Sequence, residues 1–138
     1  MARALCHQYG FDPLLPLDNT ETSPQKIFEG NLALIRKAQI VCANPDPFRG
    51  MEPDSGTAFE VGYAHALGKK VCGYVGNIQT AKERFGLGTE EPAIDERGWF
   101  VEDFGLSCNL MLAVPCHIAV GGLEECLKSI RTRNPLRV

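Results

Sequence analysis

The chain has 138 residues, 44% of them hydrophobic and 22% charged, with a net charge of −3. This is the composition of one soluble globular domain, spanning 1–138 and long enough for a single core. The slight acidity without a basic run argues against a binder that tracks a nucleic-acid backbone. No apolar segment reaches a bilayer-spanning length, which argues against a membrane partner, and residues 1–7 lack the apolar stretch of a signal peptide.

Six cysteines, Cys6, Cys42, Cys72, Cys108, Cys116 and Cys126, form no C-x-x-C pair and offer no zinc pattern. Several lie in apolar strand-like runs, as buried free thiols do. They read as reduced in a cytoplasmic protein without a metal, with Cys108 the one nearest a site.

Residues 1–8 read as the end of a helix closed by Tyr9-Gly10. Residues 11–17 are extended, and their prolines argue against an interior strand; 18–23 are polar loop. Ser23-Pro24 is a helix start, Ser as N-cap and Pro in the first turn. That helix runs from Pro24 to about Lys37, with Ile27, Leu32, Leu34 and Ile35 toward the core. Asn31 among them is either a satisfied core amide or a ligand contact. Residues 38–43 read as a strand. The loop 44–53 holds three prolines, and long loops after strands often carry function. Phe48 there either stacks on a base or tucks against the core, and Arg49 is expected to pair with Asp46 or Glu52.

Asp54 or Ser55 caps the next helix, which runs to Leu67 and stops at Gly68. Its residues are small or apolar all round, as in a buried helix. Glu60 is its only formally charged side chain. A carboxylate so placed is costly unless paired, hydrogen-bonded or functional. Glu60 is therefore an ion-paired or surface-strip carboxylate, or a catalytic one at the mouth of a cleft. Residues 69–75 read as a strand, which completes a βαβ unit whose ligands lie beyond the carboxyl ends of the strands. His65 points away from Glu60, and the three histidines read as structural.

Residues 76–98 are polar and irregular, with a short helix at 79–85. No G-x-G-x-x-G or Walker pattern occurs, so no dinucleotide or nucleoside triphosphate cofactor is implied. Residues 99–104 are apolar with acidic breaks. A helix is expected at 106–113, carrying Asn109 and Met111. A strand at 116–120, a Gly121-Gly122 turn and a helix from 123 to about 131 complete the chain, the basic residues lying toward the last helix's C-terminal end.

Three groups of words carry a resemblance: Pro16-Leu17-Asp18-Asn19; Asn44 and Pro47-Phe48-Arg49-Gly50 followed by Glu52-Pro53-Asp54-Ser55-Gly56-Thr57-Ala58-Phe59-Glu60-Val61-Gly62-Tyr63-Ala64; and Asn109-Leu110-Met111. In this order and spacing they resemble the nucleoside 2-deoxyribosyltransferases, over nearly the whole chain from Tyr9. The middle block is long and specific.

The resemblance implies an α/β fold, a flavodoxin-like or Rossmann-like three-layer sandwich with a mainly parallel sheet. It maps the family's nucleophile onto Glu60, with helix N–H groups and the hydroxyls of Thr57 or Tyr63 as candidate donors to its carboxylate. It places Asp54 and Asn109 on the substrate's 5′-hydroxyl, the Asn reaching in from a neighbouring subunit, which implies a homo-oligomer. Both residues also read as plain helix caps. Gly56 and Met111 fall within the matched words as substrate-binding positions. Asn31 faces the base, where some relatives carry Asp, and Thr20, in Asp18-Asn19-Thr20, lines the base side. The implied partners are 2-deoxynucleosides and free nucleobases, with no cofactor and no nucleic acid. An N-glycoside hydrolase acting on deoxynucleosides or their 5′-monophosphates, or a non-catalytic nucleotide-sensing module, would share the scaffold. Relatives begin with a strand and a Gly-containing loop; this chain reads as starting inside the first helix, the first strand missing.

Overall fold

The computed structural model describes residues 1–89 and 91–133. Three short runs of β-branched and small apolar residues form the sheet: β1 (Ile40–Ala43), β2 (Lys70–Val75) and β3 (Cys116–Val120). They pair in parallel in the order β1-β2-β3, with Cys42 beside Cys72 and Cys72 beside His117. Around them lie α1 (Ala2–Gln8), α2 (Pro24–Lys37), α3 (Ser55–Ala66), α4 (Ala81–Arg84), α5 (Leu110–Ala113) and α6 (Leu123–Arg133).

Alternation along the strands sorts their side chains onto two faces. Ala43, Val71 and Cys116 face one core, closed by Ile35 of α2, Val61 and Ala64 of α3, and Leu112 of α5. Cys72, with Ile40, Tyr74 and Ala119, faces the other, closed by Cys6 of α1 and by Cys126, Leu127 and Ile130 of α6. The crossover helices α3 and α5 thus cover one face, with α2, and the terminal helices α1 and α6 cover the other, leaving a parallel sheet buried on both faces. The result is the three-layer α/β sandwich expected from the sequence. Central β2 buries Val71, Cys72, Gly73 and Val75. Among the described residues no helix is long and apolar enough to cross a membrane.

Four expectations need correction. First, α3 is not buried all round: Val61 and Ala64 are core, yet Phe59 is 51% exposed and Leu67 42%. A helix laid on one face of a three-stranded sheet presents only one stripe to it. Second, Ile27 does not face the core but lies 38% exposed, on a first half of α2 (24–29) whose residues are all exposed; Ser23 occupies the N-cap position without a side-chain capping bond. Third, the helix expected at 106–113 shrinks to α5. The Leu106 carbonyl accepts from Ala81 N at 3.1 Å, and the Ser107 carbonyl accepts from the Arg84 guanidinium, so neither serves a helical ladder. Fourth, the extended run 11–17 gives way to a 3-10 turn at Pro16–Asp18.

Candidate active site

The loop after β1 is built from local hydrogen bonds before it reaches α3. Asn44 Oδ1 accepts from Asp46 N at 2.9 Å, and both Asp46 carboxylate oxygens accept from Gly76 N at 3.1 Å, tying the loop to the end of β2. Phe48 N donates to the Glu52 carbonyl at 2.9 Å, and Arg49 takes a left-handed φ of 52° in the turn between them. The guanidinium of Arg49 lies 5.0 Å from the Phe48 ring centroid. This cation–π contact replaces the expected pairing with Asp46 or Glu52, because the fold commits Asp46 to Gly76.

Asp54 ends the loop and caps α3. Its Oδ2 accepts from Thr57 N at 2.9 Å and from the Thr57 hydroxyl at 3.4 Å. Gly56 keeps that carboxylate in place: a Cβ there would stand 2.9 Å from Asp54 Oδ2. Asp54, Phe48 and Asn109 line one cleft of about 1050 Å³, with Trp99, Phe100 and Glu102 on its other walls. Asn109 caps α5, its Oδ1 accepting from Met111 N at 3.0 Å. Its Nδ2 donates to Glu102 Oε1 at 2.7 Å, while Glu102 Oε2 accepts from Leu110 N at 2.7 Å. Glu102 was not singled out in the sequence. Its only signal is an acid seven residues ahead of a cap, and the segment joining them is neither helix nor strand, so no local period links the two. Cys108, beside Asn109, is buried, and that burial pushes its thiol pKa up. Met111 is 73% exposed and does not line the cleft.

Glu60 lies apart from this cleft, at the seam between α2 and α3, where Asn31 Nδ2 donates to its Oε1 at 3.4 Å. Desolvation by burial pushes the Glu60 pKa up; the Asn31 bond opposes this, and the negative charge of Asp54 adds to it. Asn31 Oδ1 is buried and meets no donor among the described residues. The hydroxyls expected to serve Glu60 are engaged elsewhere: Thr57 bonds Asp54, and the Tyr63 hydroxyl accepts from Arg36 Nη1 at 2.9 Å. Phe28 and Phe59 meet at 5.9 Å on the exposed side of the same seam.

A smaller hollow of about 530 Å³ lies between residues 18–21 and α2, lined by Asn19, Gly30 and Ala33 among others. Gly30 permits it, since a Cβ there would stand 2.6 Å from Asn19 Nδ2. Thr20 itself is exposed and lines neither hollow. Among the described residues no three His, Cys, Asp or Glu side chains gather into a metal-holding group. The predicted residues thus form two groups, Asp54–Gly56–Asn109–Phe48 and Glu60–Asn31, with Thr20 and Met111 outside both.

The sequence matches the family described as Nucleoside 2-deoxyribosyltransferase over residues 1–111. Among solved structures, a 2-desoxiribosyltransferase from Leishmania mexicana matches with a TM-score of 0.81 at 34% identity, covering 97% of this chain and 84% of that one. The CMP N-glycosidase BcmB from Clostridium botulinum matches with a TM-score of 0.52 at 18% identity, covering 94% of this chain and 82% of that one, a likeness of fold alone. No curated protein sequence matches significantly.

Proposed function

The chain belongs to the nucleoside 2-deoxyribosyltransferase family, a family of glycosyl-transferring enzymes, and on that premise we propose that it moves 2-deoxyribose between nucleobases through an ester on Glu60. The observation that carries this reading is the setting of Glu60: a part-buried carboxylate with, among the described residues, one weak donor, Asn31, whose other amide atom meets no partner there. A sparsely solvated carboxylate is poised to attack, since few hydrogen bonds must be surrendered as it does.

In the first step a Glu60 oxygen bonds to the anomeric carbon as the C–N bond breaks, and the bonding pair leaves with the base. The departing base takes up a proton from solvent; in the second step a nitrogen of the incoming base bonds to the same carbon, its N–H proton passes to solvent, and the ester bond breaks to return the carboxylate. Two inversions give net retention. The transition states carry oxocarbenium character. A 2-hydroxyl would withdraw electrons beside the developing cation, so the deoxy sugar reacts more readily. The orphan Oδ1 of Asn31 offers an acceptor to an N–H of the base.

Asp54 and Asn109 take the 5′-hydroxyl. The six residue steps from Asp54 to Glu60 along the helix rise roughly 9 Å. A deoxyribose bridges that span, because helical side chains lean toward the N-terminus and bring Glu60 back toward the cap. The charge on Asp54 repels a phosphate dianion, which favours free nucleosides over monophosphates. Phe48, exposed on the cleft wall, is available to stack on a base, and Thr20 stays on the outer base side. Asn109 is exposed, with apolar Phe104, Met111 and Val114 exposed nearby in sequence. We infer that this surface packs on a second copy of the chain, whose site Asn109 completes. Six unpaired cysteines suit a reducing compartment, and salvage of bases in the cytoplasm is the setting we assign.

The test is chromatography of 2′-deoxyinosine and adenine incubated with the protein. New 2′-deoxyadenosine, absent with Glu60→Ala, supports the reading. Hypoxanthine without 2′-deoxyadenosine means hydrolysis instead.

A further inference from the structure

We propose that Glu102 is a positioning residue for the 5′ end of the substrate, acting through Asn109. The inference rests on the transferase reading above and adds a residue to it.

Glu102 spends both carboxylate oxygens on one short turn. Oε1 accepts from Asn109 Nδ2 and Oε2 from Leu110 N, each at 2.7 Å, while Met111 N donates to Asn109 Oδ1 at 3.0 Å. These bonds leave a single orientation for the Asn109 amide. The flipped one would set its oxygen against a carboxylate and its NH2 against a backbone N–H. What remains free on Asn109 is one N–H and one lone pair, both held in fixed directions. A hydroxyl, donor and acceptor at once, satisfies that pair. A phosphate dianion has no hydrogen for the lone pair, and it would meet the Glu102 carboxylate that Asn109 carries with it. Asn109 is exposed, so without the clasp its rotamers would have to be ordered at each binding event. Glu102 therefore presets the amide and selects hydroxyl over phosphate. The clasp lies within one chain, so it holds whichever subunit's substrate Asn109 serves.

The test compares kcat/KM for exchange between 2′-deoxyadenosine and its 5′-deoxy analogue, which lacks the hydroxyl, with a common acceptor base. Wild type, Glu102→Ala, Asn109→Ala and the double variant are measured. The preference for the 5′-hydroxyl is expected to fall roughly tenfold in Glu102→Ala, chiefly through KM, as for one charge-assisted hydrogen bond. The double variant should fall no further than Asn109→Ala alone, because the two act as one unit. Each preference is a ratio within one preparation, so a share of misfolded protein cancels. A wild-type preference in Glu102→Ala overturns the inference, as does a double variant that loses the product of the two single effects. Wild type that exchanges no base, or that treats both substrates alike, overturns the reading on which the inference rests, and shows this before any variant is made.

Discussion

Glu60 feels opposing influences, and each can be removed by one substitution. Burial and the charge of Asp54 push its pKa up; the Asn31 bond pulls it down. As a nucleophile it must be ionised, so activity falls as the pH drops through its pKa. Asn31→Leu removes the one lowering influence. The acid limb of kcat/KM is expected to move to higher pH, and a limb that stays or moves lower contradicts the assignment. The same shift bears on stability. An acid whose folded-state pKa is raised binds its proton more tightly folded than unfolded, and this contribution is lost as the pH rises through the folded-state pKa. Ionised Glu60 therefore costs stability at neutral pH. Glu60→Gln should raise Tm at about pH 7, with the gain shrinking toward about pH 4; equal Tm changes at both would argue against a raised pKa. The sequence alone marked Glu60, as the lone charge on an apolar helix, but not the bond to Asn31. The two are 29 residues apart and meet only because both helices lie on the same face of the sheet. Arg49 shows the reverse: its charge suggested a carboxylate partner, whereas the loop turned it over Phe48.

At the scale of elements, the N-terminus of α3 serves as both cap and cleft wall, and two substitutions separate these roles. Asp54→Ala removes a cap worth about 1 kcal/mol, whereas Asp54→Ser keeps an oxygen for Thr57 N. Thermal unfolding should place Asp54→Ser near wild type and Asp54→Ala below it, while both raise KM for the nucleoside. A normal KM in Asp54→Ser would reduce Asp54 to a cap. Gly56→Ala tests the same point from the other side. Alanine is the better helix former by up to about 1 kcal/mol, yet its Cβ would stand 2.9 Å from Asp54 Oδ2. Activity is expected to drop with little change in Tm; a stable and fully active Gly56→Ala would show that the position of the carboxylate is immaterial. Strands, helix starts and the βαβ order were legible because local pattern decides them: Pro24 opens α2, and Gly68 follows the end of α3 with a φ of 67°. The burial of α3 and the length of α5 were not. Which stripe of a helix is covered depends on the layer beneath it, and α5 is cut short by Arg84 and Ala81, which take the carbonyls of residues 107 and 106.

At the scale of the whole molecule, the two groups of site residues lie on different parts of one chain, Asp54 and Asn109 on the cleft and Glu60 at the helix seam. On the reading proposed above, a substrate spans Asp54 and Glu60 of one chain, and a neighbouring copy supplies the Asn109 that completes the site. Subunits carrying Glu60→Ala should be inactive and those carrying Asn109→Ala slowed but measurable, and co-refolding the two should raise exchange in the mixed oligomers above that of either. No regain would place Asn109 and Glu60 of one chain in one site. All of this depends on the central claim, that Glu60 itself bonds to the sugar. The direct measurement is mass spectrometry of protein acid-quenched during turnover of 2′-deoxyinosine, followed by peptide mapping. A deoxyribosyl adduct on the peptide and side chain of Glu60, lost when acceptor base is added before the quench, is the predicted result. Continued exchange with the adduct on another residue, or exchange undiminished in Glu60→Ala, would contradict it.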